Sequence, residues 1–408
     1  MVWSPLSEMP SVGRRKVYAY TAIVFIICQL PVPLVANIEV IYLCRFLTGF
    51  FCSPVLAVGG GTISDMFDPV TIGYPMAFWE LATWGGSALG PTFAGFTYER
   101  FGYKGPMWEL VFLGLVGLGL ILFLLPETLP AAILHQRAQR IRKDNQAYSF
   151  VTHNELKEAQ TSLLSSIRGL VGKAIVLNFQ EPIVFVLNLY VALVFAIFFG
   201  MLESYPYVFK GDPYYFNAGQ TGLAFLGVFV GGFITMLLYF VYLRLHLNNC
   251  FDENGNITPE ERLWPAVPGG LFVPIGLLVY GWTTHLHWIV PTIGGALFGV
   301  GMFTICESPY EDLTRFLLTQ KPVMAMLQYL PDAYPAVAAT TIAGNCLMRA
   351  IFAAAFPLFM IPFYEHFGAG VASSILAVLG LLFVPWPIVL VYRGRQLRLR
   401  SKNARHDI

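Results

Sequence analysis

The sequence predicts an all-α membrane protein with ten transmembrane helices, and three observations carry that prediction. The 408 residues are 56% hydrophobic and only 12% charged, with a mean hydropathy of +0.62, whereas soluble domains carry about 25% charged residues. The apolar residues fall in runs of the length a bilayer demands, about 20 residues. Lysine and arginine gather at three places, separated by even numbers of those runs.

The runs follow in order. Val17–Ala36 comes after a basic start, and Val40–Ser64 contains Pro54 and three glycines, Gly59 to Gly61. Pro75–Tyr98 contains Gly90-Pro91, and Met107–Leu125 precedes the largest polar interval, Pro130–Gln180. Six more follow: Ile183–Leu202, Gly222–Tyr242, Ala266–Trp282, Ile289–Cys306, Ala333–Phe363 with Pro357, and Ala372–Tyr392 with Pro385. Proline and glycine are tolerated in such helices, because neighbours satisfy the freed backbone groups.

Orientation follows from the basic clusters. Arg14, Arg15 and Lys16 stand at the start, Arg137, Arg140, Arg142 and Lys143 in the interval, and Arg393, Arg395, Arg398, Arg400, Lys402 and Arg405 in the tail. Four runs separate the first two clusters and six the last two, so all three lie on one face. Positive charge marks that face as cytoplasmic. The opposite connections, such as Lys210–Asn217 and Thr283–His287, are short and weakly charged.

Other classes are disfavoured. The net charge of +1 gives no hint of a nucleic-acid partner, and no nucleotide-binding loop, metal-ligand cluster or nucleophile constellation is evident. The six cysteines form no CxxC pair and read as buried thiols. Met1–Lys16 has charge but no apolar core, so it does not read as a signal peptide. Asp252–Ile257 imitates a calcium loop, but Ile257 and Leu263 stand where Gly and Glu are needed. The glycosylation sequon at Asn256 falls on the cytoplasmic face and should be unused.

Several short motifs then point to a family. Ser4-Pro5-Leu6-Ser7-Glu8 with Gly13-Arg14-Arg15 resembles a loop between second and third membrane helices, and Arg45-Phe46-Leu47-Thr48-Gly49-Phe50 resembles a fourth-helix signature. Gly86-Ser87-Ala88-Leu89-Gly90-Pro91 with Gly95 resembles an antiporter motif of helix five, although Ser87 replaces the usual proline. Pro126-Glu127-Thr128 matches the exit from helix six. Glu181-Pro182, Glu203-Ser204-Tyr205-Pro206, Gly281-Trp282, Asp332-Ala333-Tyr334-Pro335 and Phe356-Pro357-Leu358-Phe359 follow in the second half. In this series the chain resembles the major facilitator superfamily, and more closely its fungal drug:proton antiporters. That resemblance implies two six-helix halves, so the ten runs are helices three to twelve and a preceding pair is expected before Met1. The implied plan is 1–128 as the first transmembrane half, 129–180 as a cytoplasmic loop, 181–392 as the second half and 393–408 as a basic cytoplasmic tail.

The physics of these motifs suggests roles. Arg14 or Arg15 can pair with a carboxylate such as Asp65, forming with Glu8 and Gly13 a latch that biases one access state; the alternative is a basic loop that only sets topology. Arg45 lies inside an apolar run, where a charge costs roughly 2.5–3.5 kcal/mol, so it faces a cavity or partner, or else snorkels outward. Gly86, Gly90, Pro91 and Gly95 let their helix approach a neighbour and bend, or provide ordinary small-residue packing.

Glu203, at the end of an aromatic-rich helix, is the first choice for proton coupling. A carboxyl in a partly dry cavity holds a proton or a cationic substrate, but not both comfortably. The alternative is a carboxylate solvated at the membrane boundary. Glu80 is the second choice. Asn345 and Arg349 share a helix face at i, i+4; the family usually has an acid after the Asn, where this chain has Cys346. Asn188, Tyr190, Phe199 and Tyr205 are candidates to line a substrate cavity with them, against lipid-facing or packing roles.

Glu307–Val323 interposes Glu307, Glu311, Asp312, Arg315 and Lys321 where the family runs on without interruption. Cys306-Glu307-Ser308 can be encoded with a splice donor, and Pro322-Val323 with an acceptor. A retained intron or gene-model error is expected, and transcript reads crossing the interval would decide it. The functional expectation is a monomeric, multi-pass secondary transporter of the plasma membrane, not an enzyme. It would need no cofactor or metal and would export a small organic molecule against inward proton flow. A truncated, transport-inactive or regulatory paralogue is the competing class.

Overall fold

The computed structural model describes residues 2–35, 37–67, 71–144, 169, 172, 175–245, 266–306, 338–386 and 389. The 307–323 insert, the calcium-like segment with its sequon, Asp332–Pro335, the 393–408 tail and most of the central loop lie outside them. Among the described residues every regular element is helical: α1 Trp3–Ser7, α2 Arg14–Gln29, α3 Pro31–Leu34, α4 Ile38–Cys52, α5 Pro54–Ser64, α6 Gly73–Phe101, α7 Lys104–Leu124, α8 Pro130–Asp144, α9 Pro182–Lys210, α10 Ala218–Leu245, α11 Ala266–Trp282, α12 Ile289–Cys306 and α13 Ala338–Phe383.

Proline sets many of the breaks, because its nitrogen cannot donate to the preceding turn. Pro31 separates α2 from α3, and Pro54 separates α4 from α5 inside a single apolar run. Asn37 starts α4 by accepting the Glu39 backbone N–H on its side chain at 2.9 Å. Gly368, at φ 73°, breaks α13 into two arms, as the sequence expected between its last two runs. One of the boundaries that differ from expectation bears on a candidate residue. The aromatic helix does not stop at Glu203 but runs through Pro206 to Lys210, so Glu203 sits inside it.

Six helical stretches among the described residues are long and apolar enough to cross a bilayer: Arg14–Leu34, Ile38–Ser64, Lys104–Leu124, Pro182–Lys210, Ala218–Val241 and Gly344–Phe383. Many large apolar side chains point outward, with Phe123 89% and Leu358 83% exposed. A surface of that kind suits lipid, not water.

The chain forms two compact units, residues 1–72 with 97–172 and residues 73–96 with 173–408. In the first, Trp3, Val17, Tyr18 and Val58 form a small core between α1, α2 and α5. In the second, α9 is the most enclosed of the six spans. Leu187, Tyr190, Val191, Val194, Ile197, Phe198, Met201 and Tyr205 recur at helical spacing and are all buried. Beside it, α10 and α12 approach so closely that a side chain at Gly231 would strike the Ala296 backbone. Small residues at such crossings are what allow dispersion contacts to hold apolar helices together in lipid.

Candidate functional site

In the first unit, α2 begins with three cations at the positive end of its helix dipole, an arrangement that is unfavourable by itself. Two carboxylates offset it. Glu127 accepts the Arg14 and Arg15 backbone N–H groups at 2.9 and 3.2 Å and also those of Thr128 and Leu129, both at 3.1 Å. Gly13 has φ 76°, and a side chain there would run into the Glu127 carboxylate. Asp65, at the C-terminal end of α5, forms an ion pair with the buried Arg14 guanidinium, Nε to Oδ2 at 2.6 Å. Arg14 also donates to the Val58 carbonyl at 3.4 Å, and Arg15 to that of Leu122 at 2.7 Å. Glu8 stands beside this pair: desolvation pushes its pKa up, Arg14 pulls it down, and Asp65 pushes it up again.

Arg45, half-buried in α4, meets the Met107 sulfur. The fully buried Gln29 reaches the Met107 carbonyl at 3.5 Å. No carboxylate among the described residues pairs with Arg45.

In the second unit, α6 crosses α10 through small residues. A side chain at Gly95 would come within 2.5 Å of the Ala218 carbonyl oxygen, and one at Gly222 would strike the Pro91 carbonyl. The Thr92 hydroxyl donates to the Gly222 carbonyl at 2.8 Å across this contact. Gly86 and Gly90 face open space instead.

About three turns before that crossing, Glu80 is 6% exposed and accepts the Trp84 indole N–H at 2.8 Å. It feels the positive charge of Arg349 on α13. The Arg349 guanidinium lies 4.6 Å from the Phe195 ring centre, and that ring is 3.9 Å, centre to centre, from the Trp84 ring. One turn away on α13, Asn345 donates to Asn188 at 2.9 Å. Asn188 donates to Asn178 at 2.8 Å, and Asn178 to the Met348 sulfur at 2.9 Å. A buried carboxylate, a guanidinium, aromatic faces and a chain of amides thus meet between α6, α9 and α13. Such a set can change its net charge by one proton while offering both ring faces and hydrogen bonds.

Comparison with known proteins identifies the scaffold. Residues 1–311 match the description of the Major Facilitator Superfamily. The chain belongs to the Major Facilitator Superfamily. Transporter mfs1 of Schizosaccharomyces pombe is similar to it, 34% identical over 412 residues, which are 99% of this chain and 74% of that protein. Efflux pump FUB11 of Gibberella moniliformis is 32% identical over 410 residues, 99% of this chain and 65% of that protein. Among solved structures, the superfamily's proton:xylose symporter XylE shares the fold, with a TM-score of 0.56 at 15% identity, covering 95% of this chain and 82% of that one.

Within this superfamily fold, the residues singled out from the sequence do not all converge. Glu80, Arg349, Asn188 and Asn345 come together, with Phe199 beside Phe195 and Phe198. Glu203 does not join them. It lies eight residues beyond Phe195 on α9, half-buried, with no partner among the described residues. Tyr205 is a core residue stacked on Tyr280 at 5.0 Å, and Tyr190 stacks on Phe383 at 5.7 Å. Three contributors escaped sequence reasoning: Trp84, Asn178 and the fourfold acceptor Glu127. The Glu80–Trp84 spacing of four was the one legible signal, since i, i+4 side chains meet on a helix.

Proposed function

We propose that this chain is a proton-coupled exporter of a small organic molecule, acting as a monomer in the fungal plasma membrane with its central loop and C-terminus in the cytoplasm. The supporting observation is Glu80, a carboxylate buried in a membrane helix and facing the charge of Arg349. Ionisable groups at such depth mark ion pathways. With Glu80 ionised, its charge and that of Arg349 offset each other. With Glu80 protonated, the site carries one negative charge fewer beside Arg349, which disfavours a cationic or weakly basic substrate. Proton and substrate therefore compete, as an antiporter requires. The direction of transport leans on the efflux pump among the relatives.

The driving force suffices. Inward proton flow supplies about 2.3 kcal/mol per 100 mV and about 1.4 kcal/mol per pH unit, enough for a gradient on the order of a hundredfold. The remaining motifs have a place in this reading. Arg14, Asp65, Glu8, Gly13 and Arg15 latch one end of the first half, Gly95 and Pro91 guide α6 against α10, and Arg45 holds a polar position in the outer part of the Ile38–Ser64 span. Glu203 is the rival coupling group.

The test is reconstitution of the chain in vesicles with an imposed pH gradient, reading substrate-driven proton movement with a lumenal dye. Glu80→Gln should abolish coupled proton movement, whereas Glu203→Gln should retain most of it. Coupling that survives in Glu80→Gln and disappears in Glu203→Gln would transfer the role to Glu203.

A further inference from the structure

The amide chain beside Arg349 has a direction, and that direction leaves one atom without a partner. A thioether sulfur can only accept, so Asn178 turns its amide nitrogen to Met348. Its oxygen then faces Asn188, which must present nitrogen there and oxygen to Asn345. Asn345 in turn presents nitrogen to Asn188. Reversing any single amide would set donor against donor or oxygen against oxygen. The Asn345 carbonyl oxygen is therefore the free end of the chain, and it is buried with no hydrogen-bond partner among the described residues on a residue that is 0% exposed. Such an atom carries a full desolvation cost, and a persistent orphan in a native fold calls for an explanation.

Its position supplies one. Asn345 stands one turn before Arg349 on the same helix face and next in the chain to the half-buried Cys346, and the Arg349 guanidinium lies over the Phe195 ring, which packs on Trp84. We propose that the Asn345 carbonyl oxygen receives an O–H or N–H donor of the transported molecule. The substrates are then neutral or weakly basic planar compounds bearing such a donor, stacked on the aromatic faces beside Arg349. This inference rests on the reading of the Glu80–Arg349 site as the transport site. A molecule without a donor, such as a quaternary ammonium ion or a fully alkylated amine, leaves the oxygen orphaned and is disfavoured. Sites built around a hydrogen bond reject analogues lacking it far more strongly than apolar pockets reject a missing methylene.

The test uses the full chain in lipid nanodiscs and two fluorescent planar probes of similar shape, 7-amino-4-methylcoumarin and its 7-dimethylamino analogue, whose affinities are compared by titration. The wild type should favour the amino probe by about tenfold or more. Asn345→Leu should bring the ratio close to one. Asn345→Gln, which keeps both an amide nitrogen for Asn188 and an acceptor oxygen, should retain the preference and guards against a folding defect in the leucine variant. A wild-type ratio near one, failure of both probes to bind, or a preference that survives in Asn345→Leu would overturn the proposal. Loss of the preference does not bear on coupling. If Glu80→Gln abolishes proton coupling while both probes bind equally, this inference fails and the transport reading stands. A donor preference without proton-coupled flux would mean the reverse.

Discussion

Glu127 holds four backbone N–H groups at once, two opening α2 and two just before α8. Hydrogen bonds to a charged acceptor are roughly twice as strong as neutral ones, and the site also neutralises the cations that crowd the start of α2. Replacing it leaves several donors unsatisfied. Glu127→Ala should destabilise the first unit by about 1–3 kcal/mol, seen as a lowered thermal midpoint and faster amide exchange at Arg14 and Arg15. The sequence displayed Pro126-Glu127-Thr128 as a motif but gave no sign of this role. The contact joins residues 113 positions apart, and nothing local encodes it. Glu80 was legible as an unusual charge in an apolar run, but its company was not. The sequence does not say that the charge of Arg349 reaches Glu80.

Among the elements, the crossing of α6 and α10 shows what a glycine-rich motif does and does not reveal. The pattern announced close helix approach, and Gly95 and Pro91 provide it against Ala218 and Gly222. Gly86 and Gly90 belong to the same motif yet face open space. Periodicity assigns a face to each residue but cannot say how far the neighbouring backbone lies. Alanine substitution separates the two kinds. Gly222→Ala should cost about 1–3 kcal/mol by overpacking, while Gly86→Ala should be neutral or gain up to about 1 kcal/mol in helix propensity. Thermal unfolding of the two purified variants in one detergent checks the contrast. The extension of α9 past Pro206 belongs to this scale as well. A proline that would end a helix in water is tolerated in lipid, where neighbouring groups cover the freed carbonyl.

For the whole molecule, stability depends on pH in part through Glu8. Its folded-state pKa is raised above 4.5, chiefly by desolvation, so the folded form binds the proton more tightly than the unfolded chain does. Its contribution to stability is fully present below that ordinary value and is lost as pH rises through the folded value. Glu8→Gln, which mimics the protonated form, should give a slightly higher thermal midpoint at neutral pH and a flatter stability profile between pH 4 and 7. An unchanged profile would show that the carboxylate is too well solvated to matter. The two compact units also divide the chain differently from its linear order. Residues 73–96 pack with 173–408, a grouping that the run of hydropathy along the chain does not contain.

The sequence by itself determined the membrane class, the placement of most helices and the family, because span length, hydropathy and charge near span ends are local quantities that the bilayer reads directly. Tertiary structure decided which charges and amides meet. Arg14 takes Asp65, Arg349 lies over Phe195 where its charge reaches Glu80, and Asn345 ends a chain of three amides. The physical reason is the same in each case. Inside an apolar bundle a polar group must find its partner across space, and the search is settled by how helices pack, not by what neighbours it in the chain.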